Sequence, residues 1–270
     1  MEVSERTVFF PPKREAKTAI AEELRLPGEE TLAGAVRHGF LGEGEARIAY
    51  TLVAAPGENR PLVVHCGGNS ADRFGSGLTY ANKVLPFGDV LMFDYPGYGD
   101  SGGKPSASAF EAAIVQVRAF AVAEAGARPL VFWGHSLGGF ICGELAAQAP
   151  GADALVLETT ARNAREVTAA ITPWWAKPLA RPKIAPSLAG YDNVSGLRGF
   201  NGLVLVIGAS KDKTLPVRLS RSLARGLKQS DHRVTYLELK GAGHTTAPKH
   251  ANFTPEVRAF WDTISNPDRS

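Results

Sequence analysis

Leu130 to Gly139 reads LVFWGHSLGG: an apolar run, then Gly134-His135-Ser136-Leu137-Gly138, then a stretch of helical composition over Gly138–Gln148. A short unbroken apolar run closed by glycine is the signature of a strand covered on both faces. A Gly-x-Ser-x-Gly between such a strand and a helix is the pattern of a nucleophile elbow, in which a serine is held on a sharp, strained turn with its Oγ projecting. Side chains at the flanking positions would clash with the neighbouring strand and helix, which accounts for Gly134 and Gly138.

The same rhythm recurs along the rest of the chain. Ala46–Val53 (ARIAYTLV) alternates and predicts an early antiparallel strand, while Pro61–His65 (PLVVH), Asp89–Asp94 (DVLMFD), Ala154–Leu157 (ALVL), Leu203–Ile207 (LVLVI) and Val234–Leu239 (VTYLEL) predict further strands. Between them Ala107–Ala125, Gly138–Gln148 and Pro216–Lys228 are Ala- or Leu-rich and of helix length. Strands alternating with helices at this spacing mean a doubly wound, mostly parallel sheet. Two segments fall outside the rhythm. Residues 1–30, with an amphipathic stretch at Arg14–Leu24 and then Pro27-Gly28, read as an N-terminal appendage to a domain of about 31–265. Residues 160–198 carry four prolines, Trp174 and Trp175, show no strand signal, and read as a cap insertion over one end of the sheet.

Composition narrows the function classes. The chain has 270 residues, 44% hydrophobic and 21% charged, which suits one large α/β domain and excludes disordered, collagenous and coiled-coil chains. Thirty basic against 27 acidic side chains leave a formal charge of +3, so no electrostatic preference for nucleic acid follows. No window approaches the roughly 18 apolar residues of a membrane span, and the first 30 residues lack the pattern of a signal peptide. The two cysteines, Cys66 and Cys142, are too few for a disulfide framework. Taken as unpaired, they suit a reducing, cytoplasmic setting, with Cys142 packed in the core and Cys66 a free thiol near the site. No metal-ligand spacing and no glycine-rich nucleotide loop follows a strand, so neither a metal nor a cofactor is expected. Oligomeric state leaves no readable mark.

In an open α/β sheet, ligands bind at the carboxyl ends of the strands. Ser136 stands there, and an elbow serine needs a base and an orienting carboxylate later in the chain. After LVLVI stands Gly208-Ala209-Ser210-Lys211-Asp212; after VTYLEL stands Gly241-Ala242-Gly243-His244. Glu158, just past ALVL, is the rival acid. Gly99-Asp100-Ser101-Gly102-Gly103 also fits Gly-x-Ser-x-Gly, and with His65 it superficially resembles the motifs of chymotrypsin-like proteases. Only 35 residues lie between His65 and Ser101, far too few for two β-barrels, so these glycines are read as a tight loop after DVLMFD.

The stretches VVHCGGNSADRF, DVLMFDYPGYGDSGG, VFWGHSLGGF, YDN at 191–193, LVLVIGASKDKTLP and GAGHTT carry a resemblance to the α/β-hydrolase superfamily, and within it to its Bem46-like, serine-aminopeptidase-like single-domain group. The resemblance runs from about residue 45 to 262. It implies an eight-stranded, mostly parallel sheet, a triad of Ser136, Asp212 and His244, and no cofactor. Where the family commonly has His-Gly-Asn, this chain has His65-Cys66-Gly67-Gly68-Asn69, which leaves the second oxyanion donor open between Gly67 and Gly68; Leu137 is the first. Trp174 and Trp175 either roof an acyl pocket or cap the core.

The expected function is a serine hydrolase acting through an acyl-enzyme on a small-molecule carboxylic ester or thioester. An exopeptidase or amidase of the same fold is the alternative, although the cap lacks the acidic character that would hold a free amino terminus. The reading from another class is a non-catalytic binding protein, which such relatives become when a triad member is lost.

Overall fold

The computed structural model describes residues 2–5, 9, 11, 36–172 and 183–265, with the main chain alone at 2, 76, 78, 79 and 265. Eight strands form the main sheet: β2 (Val36–Leu41), β3 (Ile48–Val53), β4 (Leu62–Cys66), β5 (Asp89–Phe93), β6 (Leu130–His135), β7 (Ala154–Glu158), β9 (Leu203–Ala209) and β10 (Val234–Leu239). Their order is β10-β9-β7-β6-β4-β5-β3-β2, with β2 antiparallel to β3, β3 antiparallel to β5, and all other pairings parallel. A two-stranded parallel pair is formed by β1 (Glu2–Val3) and β8 (Lys183–Ile184).

The apolar runs are unbroken because both sheet faces are covered. On one face Leu62, Val64 and Phe132 pack with the buried sides of α2 (Ala107–Ala125), α3 (Gly138–Gln148) and α6 (Arg218–Gln229). On the other, Val63, Val131 and Trp133 pack with α1 (Leu78–Val84) and α7 (Phe253–Ser265). The α7 residues Phe253, Val257, Phe260 and Trp261 recur at the spacing of one helix face, a stripe that defines the helix once it is sought. The capping residues are also local: the Ser106 hydroxyl accepts the Ala109 N–H at the start of α2.

Sequence periodicity locates seven of the eight main strands and misses β2, whose run VRHGFL is interrupted by Gly39. That glycine lies under the Tyr50 ring, at 2.7 Å from where a Cβ would stand, so its lack of a side chain is a packing requirement and not a turn signal. The cap segment also differs from expectation. It contains α4 (Ala164–Ile171), α5 (Pro186–Ala189) and the strand β8, which finds its partner in β1 at the start of the chain. A two-residue strand has no periodicity to read. Trp174, Trp175 and the Arg14–Leu24 stretch lie outside the described residues. Among the described ones, the start of the chain packs on the domain: Phe9 stacks on Phe110 at 4.5 Å, and the Glu5 carboxylate accepts the Ala107 N–H.

The cysteine reading is corrected. Cys66 and Cys142 form a disulfide, 76 positions apart in sequence, joining the end of β4 to the inner face of α3. Both are fully buried, and the pairing arises because α3 packs directly on β4, which no spacing rule reveals. Cys66 is therefore not a free thiol, and the inference of a reducing compartment from unpaired cysteines no longer stands. Among the described residues no helix is long and apolar enough to cross a membrane.

Candidate active site

The carboxyl ends of β4, β6, β7 and β9, with the loop after β10, converge on Ser136. The serine sits between β6 and α3 with φ of 55°, in the left-handed region that side-chain-bearing residues rarely occupy. The turn is tight enough that a methyl group on Gly134 would collide with the Gly138 carbonyl, and one on Gly138 with the Cys66 carbonyl. The Ser136 N–H is bonded to the Glu158 carbonyl at 3.0 Å, which ties the elbow to β7.

His244 reaches across to this turn. Its Nε2 lies 3.0 Å from Ser136 Oγ, and its Nδ1 lies 2.7 Å from Asp212 Oδ2. The second carboxylate oxygen of Asp212 accepts the N–H groups of Thr214 and Leu215, both at 2.8 Å, so the carboxylate is oriented by its own loop. The Asp212 side chain is 1% exposed and that of His244 is 15% exposed: the carboxylate is sealed in and the imidazole stays reachable. Ser136, Asp212 and His244, read from three separate strand ends, are thus brought into one hydrogen-bonded chain.

Glu158 is not in that chain. Its carboxylate is fully buried, accepting Trp133 Nε1–H at 2.9 Å and contacting the Tyr80 hydroxyl at 3.4 Å. Burial pushes Glu158 up to about 7, with the Trp133 and Tyr80 hydrogen bonds pulling the other way. Above it, the rings of His65, Tyr80, His135 and His244 form a column with successive centroids 4.8, 5.0 and 5.0 Å apart. Burial lowers His65 to about 3, with the neighbouring His135 adding to the effect, so its imidazole is neutral in the fold. Tyr80 leaves no signal in the sequence, because it sits on a helix that carries no motif.

A raised carboxylate makes stability depend on pH. Unfolded, Glu158 ionises near its ordinary value of 4.5; folded, it holds its proton to about 7. Its stabilising share is therefore complete below 4.5 and is lost as pH rises through 7. Linkage puts the loss on the order of 3 kcal/mol. Glu158→Gln, which stays neutral and can still accept from Trp133, is expected to gain stability relative to the parent between pH 5 and pH 8. Urea denaturation at both pH values checks this; an equal offset at the two would refute it.

The loop after β4 borders Ser136 on another side. A Cβ on Gly68 would stand 3.5 Å from Ser136 Cβ and 2.9 Å from His135 Nδ1, so this backbone passes directly beside Ser136. The Gly67 carbonyl accepts the Tyr95 hydroxyl, and the Gly68 carbonyl accepts the Ala71 N–H at 3.1 Å, which curls the loop back on itself. Leu137 precedes the first residue of α3, where unpaired N–H groups attract negative charge. The decoy serine is structural, since Ser101 Oγ donates to the Asp94 carbonyl and accepts the Ala49 N–H. Asp94 in turn accepts from Arg73 and from the Asp100 N–H, pinning the loops after β4 and β5 together. Among the described residues no group of three or more His, Cys, Asp or Glu side chains could hold a metal ion.

Comparison with known proteins agrees with this architecture. Residues 62–191 match the family model described as alpha/beta hydrolase fold. The uncharacterized protein Rv2307c of Mycobacterium tuberculosis is 31% identical over 191 residues, covering 70% of this chain and 64% of that protein. Human protein ABHD12B is 27% identical, covering 77% and 62% respectively. The lysophosphatidylserine lipase ABHD12 of Rattus norvegicus is 35% identical over a shorter stretch, 40% of this chain and 29% of that one. The chain thus spans somewhat under two thirds of the length of the first two relatives. Among solved structures, an alpha-beta hydrolase from Vibrio vulnificus superposes with a TM-score of 0.67 at 20% identity, over 84% of this chain and 81% of that one. The Pyrococcus furiosus esterase Pf2001 gives 0.65 at 14% identity, over 94% and 98%. With the strand order, the elbow and the matched stretch all in accord, the chain has the α/β-hydrolase fold and is similar to members of that superfamily.

Proposed function

We propose that the protein is a serine hydrolase that cleaves carboxylic esters or thioesters through an acyl-enzyme. The observation that carries this is the continuous chain Ser136 Oγ–His244–Asp212, with links of 3.0 and 2.7 Å. In this reading His244 Nε2 takes the hydroxyl proton as Ser136 Oγ attacks the acyl carbonyl carbon. The resulting oxyanion is received by the Leu137 N–H and by an N–H of the Gly67–Gly68 loop. The intermediate collapses, the carbon–oxygen or carbon–sulfur bond breaks, and the proton on His244 passes to the leaving group. A water then repeats the sequence on the acyl-enzyme, with His244 again as base. The Ser136 N–H is already spent on the Glu158 carbonyl, which favours Leu137 as the elbow donor. A binding protein has no use for a left-handed serine held within hydrogen-bond reach of a carboxylate-oriented histidine.

An ester substrate with an apolar acyl group suits the surroundings. Phe140, Val167 and Ala170 cluster with Leu215 and Leu219 next to the Asp212 loop. The relatives named lysophosphatidylserine lipases make a lysophospholipid one sensible member of a substrate panel. The deciding experiment is turnover of a p-nitrophenyl ester series of increasing acyl length, a thioester, a lysophospholipid and aminoacyl anilides, with fluorophosphonate labelling alongside. Ester or thioester turnover exceeding anilide turnover is expected; absence of both labelling and turnover would overturn the reading.

A further inference from the structure

The end of β7 and the segment after it touch both the nucleophile and the base without belonging to either. The Glu158 carbonyl accepts the Ser136 N–H, and the Thr160 hydroxyl donates to the Ser136 carbonyl at 2.7 Å. Between them, the Thr159 hydroxyl donates to the His244 carbonyl at 3.2 Å. The same carbonyl is met by His135 Nε2 at 3.1 Å. A carbonyl only accepts, so Nε2 must carry the proton there. Burial holds the His135 imidazole down to about 4, so at neutral pH it is uncharged and has a single N–H to give.

Thr159 is fully buried and has φ of 43°, a region that β-branched residues avoid. Its N–H is bonded to the Ile207 carbonyl at 2.8 Å, which fixes the residue between β7 and β9. Glycine would meet that backbone without strain, so what threonine adds at this position is its hydroxyl and its bulk. The hydroxyl points at the main chain of the one residue whose side chain must stay aimed at Ser136. His244 itself stands on a loop whose next two residues, Thr245 and Thr246, are exposed.

We infer that Thr159 is a positioning residue: its hydroxyl, together with His135, holds the main chain of His244 so that Nε2 stays within hydrogen-bond reach of Ser136 Oγ. This rests on the triad reading given above. The turn after β7 thereby sets the distance between nucleophile and base.

The test compares Thr159→Gly, which relieves the backbone and removes the hydroxyl, with Thr159→Ser, which keeps the hydroxyl. In Thr159→Gly, kcat for a p-nitrophenyl ester and the rate of fluorophosphonate labelling should fall about 10- to 100-fold, the usual result of a small misplacement. KM should stay within about twofold, since substrate binding is not touched. Thr159→Ser should recover both rates to within about threefold of the parent. Thermal unfolding monitored by circular dichroism identifies the range in which each variant is folded, and rates are compared there. Unchanged kcat in Thr159→Gly, equal slowing in both variants, or a rise in KM alone would overturn the inference. His244→Ala separates the two layers: if it no longer labels while Thr159→Gly labels at the parental rate, only the positioning role fails. If His244→Ala labels normally, the triad reading fails and the positioning role with it.

Discussion

Ser136→Ala is expected to abolish fluorophosphonate labelling and to lower ester turnover by on the order of 10⁶-fold, the scale typical of removing a triad nucleophile. Such a loss is expected because Ser136 Oγ can donate its proton to His244 Nε2 and sits on a turn that projects it. Alanine retains the Cβ and the main-chain bonds of Ser136 to Glu158 and Thr160, so the elbow itself is preserved. Stability should accordingly change by no more than about 1 kcal/mol. A folded, unlabelled and inactive variant is the expected result. Turnover within about tenfold of the parent would mean that the chemistry belongs elsewhere.

The second large effect is expected at Asp212. Asp212→Asn should lower kcat about 10⁴-fold, with little change in KM, through the tautomer of His244. The backbone N–H groups of Thr214 and Leu215 hold Oδ1, so an asparagine oxygen settles there and its NH₂ faces His244 Nδ1. Two donors then oppose each other, the imidazole moves its proton to Nε2, and Nε2 can no longer accept from Ser136. Glu158→Gln is the natural control, since that carboxyl faces Trp133 and Tyr80. It should leave kcat within about tenfold of the parent. Full activity in Asp212→Asn, or a collapse of activity in Glu158→Gln, would exchange the roles of the two acids.

Much of this site is legible in the chain because its residue types are dictated by close local geometry. An elbow turn admits glycine at 134 and 138 on steric grounds alone, and strand ends announce themselves where β-branched runs stop. The choice between Asp212 and Glu158 is not decidable that way. Asp212 follows β9 and Glu158 is the last residue of β7, and the two buried strands are hydrogen-bonded neighbours in the sheet. What separates them is the direction each carboxylate takes after its strand ends, and that depends on the partners it meets.

The layered α/β class, the Gly-x-Ser-x-Gly turn at Ser136, and the placing of Asp212 and His244 after later strands are all written in the sequence. Those properties live in short-range patterns: period-two and period-3.6 alternation, and steric demands within a few residues. Tertiary structure alone decided the rest. It brought Cys66 and Cys142 into a covalent bond across 76 positions, gave β8 its partner in Glu2–Val3 near the start of the sequence, and set Thr159 against the carbonyl of His244. Each is a contact between residues far apart along the chain, made only when helices and strands pack. No local pattern encodes it, because neither partner has a composition or spacing that differs from ordinary core or turn.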